Sequence, residues 1–164
     1  MSMCRNHLLP TLGLSLALML LLGNVRVAQA QDLLDPENIG IQELKDIFKE
    51  AYIDVLQETD TWIKVKDGNI CFVDIDKSHR YLKYNLGISL DDAITKEQAL
   101  SYCNKVNSEL ILVTTYYEES NHRIQFYYYL WIEGGTTKAS IIKAQRIYQK
   151  ILTAAFAKDE EDIL

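Results

Sequence analysis

The chain has 164 residues, with 17 Lys and Arg against 23 Asp and Glu, a formal net charge of −6, and 48% hydrophobic residues. An acidic chain with no basic stripe lacks the electrostatic footprint of a nucleic-acid binder, and an anionic membrane surface would repel it. The length suits one compact domain with a real core.

The first 30 residues differ from the rest: they hold Arg5 and Arg26, no acidic residue, and an apolar block from Leu8 to Leu22. A basic start, an apolar centre and the small-x-small run Ala28-Gln29-Ala30 follow the grammar of a secretory signal, which predicts cleavage before Gln31 and a periplasmic or secreted product. A retained anchor is the alternative, but about 15 apolar residues interrupted by Pro10 fall short of the roughly 20 that span a bilayer. Residue 31 is not a cysteine, and Cys4 lies too early for a lipid anchor. Removing 30 of the 164 residues leaves 134, and losing two arginines takes the charge from −6 to −8. No span is expected in that mature chain.

Residues 31–40 read as a polar lead-in. IQELKDIFKEA then places Ile41, Leu44, Ile47, Phe48 and Ala51 at helical spacing, a short amphipathic helix. YIDVLQET switches to strand composition. TWIKVKDGNICFVDID predicts two strands joined at Asp67-Gly68-Asn69, because a glycine there supplies the positive φ that tight hairpins demand. In YLKYNLGISL, Leu82, Tyr84, Leu86 and Ile88 alternate against Tyr81, Lys83, Asn85 and Gly87, as in a strand with one buried face.

Thr95-Lys96-Glu97-Gln98 is a capping box and predicts a helix from about Lys96 to Val106, ended by Asn107 and Ser108. ELILVTTYY begins another strand, EESNH turns the chain, and RIQFYYYLWIE returns as its partner until Gly134-Gly135. A last helix from about Lys138 to Lys158 carries the stripe Ile141, Ala144, Tyr148, Ile151 and Ala155. The acidic tail 159–164 is expected to fray. Strands that arrive in runs favour an α+β fold: an antiparallel sheet of about five to six strands with three helices packed mainly on one face.

These features from about Ile41 to Ala157 (the first helix, the strand pair around KVKDGNICFVDID, the KEQALSYCNKVNSE helix, the ILVTTYYEESNHRIQFYYYLWIEGG hairpin and the closing helix) resemble the YbjN family of bacterial proteins, described as sensory transduction regulators. The resemblance implies a domain over 41–158 with a fold like that of type III secretion chaperones, whose helices cover one sheet face while the other often meets a partner or second subunit. It brings no catalytic residues. Many relatives are cytoplasmic, and the export pattern departs from them.

The residues themselves offer little chemistry. Gly134-Gly135 lacks the lysine of a P-loop and the spacing of a dinucleotide fingerprint. Asp74-Ile75-Asp76 opens like a calcium loop, but His79 and Asn85 fall where its glycine and glutamate belong. His79 and His122 sit in predicted turns without metal-ligand spacing, so neither metal nor cofactor is expected. Cys71 and Cys103 could form a disulfide in an oxidising compartment; equally they could be buried thiols. No nucleophile, base and orienter set is readable, so enzyme activity is not expected; a hydrolase would need acids such as Asp74 and Asp76 to converge in a cleft.

The remaining signal is aromatic. At period two, Ile124, Phe126, Tyr128, Leu130 and Ile132 point one way, while Tyr127, Tyr129 and Trp131 point the other with Arg123, Gln125 and Glu133. Tyr117 could extend that surface, and Trp62 with Lys64 and Lys66 could add a neighbouring strand. Such aromatics can stabilise a sheet without binding anything; they are also enriched where proteins meet partners. The sequence therefore suggests an exported binding, adaptor or regulatory protein that uses this face on a protein partner or a second copy. A small-molecule carrier or sensor, with an enclosed apolar pocket, is the alternative.

Overall fold

The structure, a computed structural model, describes residues 32–164; the predicted signal, its cleavage residues Ala28, Ala30 and Gln31, and Cys4 lie outside the described residues. From the amino end come α1 (Ile41–Glu50), β1 (Asp54–Glu58), β2 (Trp62–Asp67), β3 (Asn69–Ile75), β4 (Tyr81–Ser89), α2 (Lys96–Glu109), β5 (Thr114–Glu118), β6 (Arg123–Trp131) and α3 (Lys138–Phe156). The strands form one antiparallel-paired sheet of six in the order β1-β2-β3-β4-β6-β5. This is the α+β architecture expected from the order of elements.

Local chemistry sets the boundaries. Gly68, at φ 94, turns β2 into β3 with Asp67 paired to Asn69. The Thr95 side chain accepts from Gln98 N at 3.2 Å while Gln98 Oε1 accepts from Thr95 N at 2.9 Å, so the capping box starts α2 as its sequence requires. Thr137 caps α3 by accepting from Ser140 N at 3.1 Å.

One sheet face is covered. Ile63, Val65, Cys71, Val73, Leu82, Tyr84, Ile124 and Phe126 meet Leu44, Ile47 and Phe48 of α1, Ala99, Tyr102, Cys103 and Val106 of α2, and Ile141, Ala144, Tyr148, Leu152 and Ala155 of α3 in one core. Each fully buried aliphatic or aromatic side chain contributes roughly 1.5–3 kcal/mol. Three tyrosine hydroxyls pin helices within this core. Tyr84 donates to Ile141 O at 3.0 Å, Tyr148 to Phe126 O at 2.9 Å, and Tyr102 to Ala155 O at 2.9 Å.

Five expectations are corrected. Residues 31–40 are more than a lead-in: Leu34 exchanges backbone hydrogen bonds with Thr136 at 2.7 and 3.1 Å, and Ile39 is wholly buried, so the domain begins before Ile41. Helix α2 continues past Val106 to Glu109, because Asn107 bonds across to β5 instead of stopping the helix. Strand β5 starts only at Thr114, since Leu112 adopts φ 70 and breaks the extended run. The tail does not fray: Asp159 accepts from Ile163 N and Leu164 N at 2.8 and 2.9 Å, and Ile163 is buried. The helix stripe also differs, for α3 buries Leu152, Gln145 and Gln149 and leaves Ile151 half-buried.

Tyr148→Phe removes one hydroxyl hydrogen bond and is expected to lower unfolding free energy by about 1 kcal/mol in denaturant titration. Tyr148→Ala, which also opens a cavity in the core, is expected to cost about 3–5 kcal/mol.

Candidate functional site

The sheet face away from the helices carries the aromatic residues. In β6 the alternation is as expected: Tyr128 packs inward against Tyr84 and Tyr148, while Tyr127, Tyr129 and Trp131 point outward. Strand register extends this surface. Tyr81 and Lys83 of β4 lie opposite Trp131 and Tyr129, and Asn85 lies opposite Tyr127. Phe72 of β3 lies opposite Asn85 on one side and Lys64 on the other, and Trp62 lies opposite Asp74.

The rings contact one another in two groups. Tyr81 meets Tyr129 and Trp131 edge to face at 5.2 and 5.4 Å between centroids, and Tyr127 continues to Tyr129 at 6.3 Å. Tyr116 joins from β5, its ring 5.5 Å from that of Tyr127 and the two hydroxyls 3.0 Å apart. On the far strands Trp62 meets Phe72 edge to face at 5.3 Å. A lysine flanks each group: Lys64 Nζ lies 5.4 Å from the Phe72 ring centre, and Lys83 Nζ lies 5.2 Å from that of Tyr127 while pairing with Asp74 at 2.7 Å. Tyr116, Tyr129 and Trp131 keep 41%, 40% and 63% of their surface exposed.

One expected member moves off this face. Tyr117 lies opposite Ile124, an inward position, and its hydroxyl bonds His122 Nδ1 at 2.7 Å. Tyr116 takes its place. Val113 carried the missed signal, because a buried valine four residues earlier shares the parity of Tyr117.

A polar corner closes the β5–β6 end. Glu118 accepts from Arg123 Nε, from Gln125 Nε2 at 2.8 Å and from Asn121 Nδ2 at 2.7 Å. Gly87 makes room for it, since a Cβ there would come within 2.9 Å of Gln125 Oε1. Arg123 chiefly, then Gln125, hold the Glu118 carboxyl down at about 2.

The other candidate residues do structural tasks. Cys71 and Cys103 are free and buried, not bridged. Cys71 faces α3, donating to Gln145 Oε1 at 3.3 Å and accepting from Gln149 Nε2 at 3.6 Å. Cys103 lies on α2, which packs on β5, and β5 is three strand spacings, roughly 14 Å, from β3, twice the Cα separation a disulfide tolerates. Burial pushes the two thiols up to about 12 and about 11. Asp74 is held by Lys83 and by Asn85 Nδ2 at 3.1 Å, and Asp76 by Arg80 Nε at 3.1 Å. His79 Nδ1 bonds Pro36 O at 3.0 Å, and His122 Nε2 donates to Asp91 O at 2.9 Å, so both histidines tie turns together. Among the described residues no group of three or more His, Cys, Asp or Glu could hold a metal, and no helix is long and apolar enough to cross a membrane.

The fold is that of YbjN. The structure matches the crystal structure of YbjN from E. coli, there titled a candidate transcription regulator, with a TM-score of 0.60 at 10% identity, over 71% of this chain and 88% of that one. No family model and no curated protein sequence matches the chain.

Two measurements check this chemistry. Both thiols are expected to resist an aromatic disulfide reagent at pH 8 in the native protein and to react fully after denaturation. Glu118 is depressed in the folded state, so its stabilisation is present above about pH 4.5 and lost as pH falls through about 2. Glu118→Gln should therefore flatten the fall of thermal stability across that window, and an unchanged acid slope would contradict the assignment.

Proposed function

We propose that the protein is an exported, non-enzymatic binding or adaptor protein, regulatory in role, that works through protein–protein contacts on the outer aromatic face of its sheet. The observation that carries this reading is the aromatic and lysine surface that spans β2 to β5, with Tyr129 and Trp131 exposed at its centre and corner. Rings already stacked on strands lose little conformational freedom when a partner covers them, and tyrosine and tryptophan dominate binding energy where they are desolvated. The helices leave this face free to serve as an interface. The YbjN-like fold is compatible with such a regulator or adaptor.

Export to the periplasm or beyond is supported by the first 30 residues, whose basic start, apolar block and Ala28-Gln29-Ala30 run follow the pattern of a secretory signal. A non-enzymatic role is supported by the engagement of Asp74, Asp76, His79 and His122 in ion pairs and turns. The carrier alternative, which calls for an enclosed apolar pocket, has less support: the pocket beneath the tail, lined by Tyr102, Lys105, Asp159 and Ile163, holds only about 50 Å³, and the larger hollows of about 250 Å³ beside Gly68 and Gln149 and about 340 Å³ beside Ile88 and Phe156 are shallow and open to solvent.

The double substitution Tyr129→Ala with Trp131→Ala is expected to weaken association, with itself or with a co-purifying partner, by at least about 30-fold per essential ring while leaving the fold intact. Unchanged assembly and partners in a folded double variant would remove this surface from consideration.

A further inference from the structure

Strand β6 is longer than the strand beside it. β4 pairs with it from Tyr81↔Trp131 to Ser89↔Arg123, whereas β5 reaches only from Glu118↔Arg123 to Thr114↔Tyr127. Among the described residues, therefore, no strand lies beside 128–131 on the β5 side. Which backbone groups this leaves open follows from parity. Ile132 N donates to Arg80 O at 2.9 Å and Leu90 N to His122 O at 3.0 Å, so the even-numbered residues of β6 bond toward β4. Alternation then turns the N–H and C=O of Tyr129 and Trp131 to the open side.

The other two edges of the sheet are guarded. β1 carries a bulge between Val55 and Gln57 and charges at Asp54 and Glu58. On β5, the Asn107 amide brackets Thr115, accepting from its N–H at 2.8 Å and donating to its C=O at 2.7 Å, so a side chain occupies the place of a further strand. The Tyr129–Trp131 segment has no bulge and no charge, and among the described residues no side chain brackets it. Its rings are exposed, and the chain entering β5 beside it shows Ile111 and Leu112 83% and 59% exposed. Proteins commonly blunt a bare apolar edge, because it templates strand addition.

We propose that this notch pairs with the same notch of a second copy of the chain, joining two six-stranded sheets into one. The proposal rests on the aromatic-face reading above and adds the partner and the geometry. A twofold axis through Leu130 sets Tyr129 opposite the partner's Trp131 and Trp131 opposite the partner's Tyr129. Both residues have their backbone groups turned to that side, so the two pairs exchange about four N–H···O=C bonds. The same register lays each outward Tyr129 ring beside the partner's Trp131 ring, making one continuous aromatic face. No charged residue lies between Arg123 and Glu133, so two copies meet here without like-charge repulsion despite the chain's net −6. The contact closes on itself. The chain leaves the strand line at Glu133, where it would otherwise meet the partner's Thr114, in the turn that Gly135 N closes on Ile132 O at 2.8 Å, so an isologous dimer and not a fibre results.

Sedimentation equilibrium on the purified protein, combined with amide exchange above and below the dissociation concentration, tests this. The expected result is a dimer in which the Tyr129 and Trp131 amides slow roughly tenfold or more relative to the dilute protein. Trp131→Pro, which deletes an edge-facing N–H, should dissociate the dimer about tenfold more readily than Trp131→Ala, which deletes only the ring. Equal thermal unfolding of these two variants shows that the folded domain is unharmed, and the wild-type amide data decide the matter if it is not. A dimer that dissociates on Tyr81→Ala yet leaves both amides unprotected keeps the aromatic face and overturns strand pairing. A dimer with protected amides that survives loss of both rings keeps strand pairing and removes the face reading. A monomer at every concentration overturns the pairing.

Discussion

Everything in this structure turns on the alternation of β6. The strand lies between β4 and β5, so its backbone is committed on both sides along Arg123–Tyr127. Its side chains must then divide. Phe126 and Tyr128 go into the core beneath α3, and Tyr127, Tyr129 and Trp131 go to the outer face. A one-residue slip would bury polar Arg123 and Gln125 under the helices and expose Ile124 and Phe126. The core and the candidate interface therefore stand or fall with one register.

The helices hold that register through polar groups as well as apolar ones. The Tyr148 hydroxyl reaches the Phe126 carbonyl of β6, the Tyr84 hydroxyl reaches α3 from β4, and the Tyr102 hydroxyl ties α2 to α3. Gln149 accepts from Asn69 N at 2.9 Å at the β2–β3 turn and also donates to Cys71. These directional bonds set where along the sheet each helix sits, which non-directional apolar contact leaves free. The free thiol at Cys71 belongs to this packing, and its chemistry is suppressed by the same burial.

A sheet with helices on one face has a second face whose composition is not dictated by the core. Here it carries rings supported by rings and lysines, with a charged corner at Glu118 and Arg123. Such a surface gives a partner apolar area at low ordering cost. It also places the exposed half of β6 beside the unprotected segment of sheet edge, so face and edge offer one continuous place of contact.

Local signals determined much of this architecture. The capping box at Thr95 and Gln98, the glycine between Asp67 and Asn69, and the period-two pattern of β4 and β6 act within a few residues, so helix α2, the β2–β3 hairpin and the inward and outward sets of both strands were legible from sequence. What failed depended on distant partners. Asn107 continued a helix because Thr115 offered it two hydrogen bonds; Ile163 docked because α2 and α3 had formed a core to receive it; and Tyr117 turned inward because β5 pairs with β6 in one register. Cys71 and Cys103 could not be judged without the strand order that sets them apart. The sequence by itself determined which residues alternate, cap and turn, since those are consequences of backbone stereochemistry over a few bonds. Only the tertiary structure decided which edge stays open and which rings gather on one face, because strand order and register arise from pairings between segments far apart in the chain.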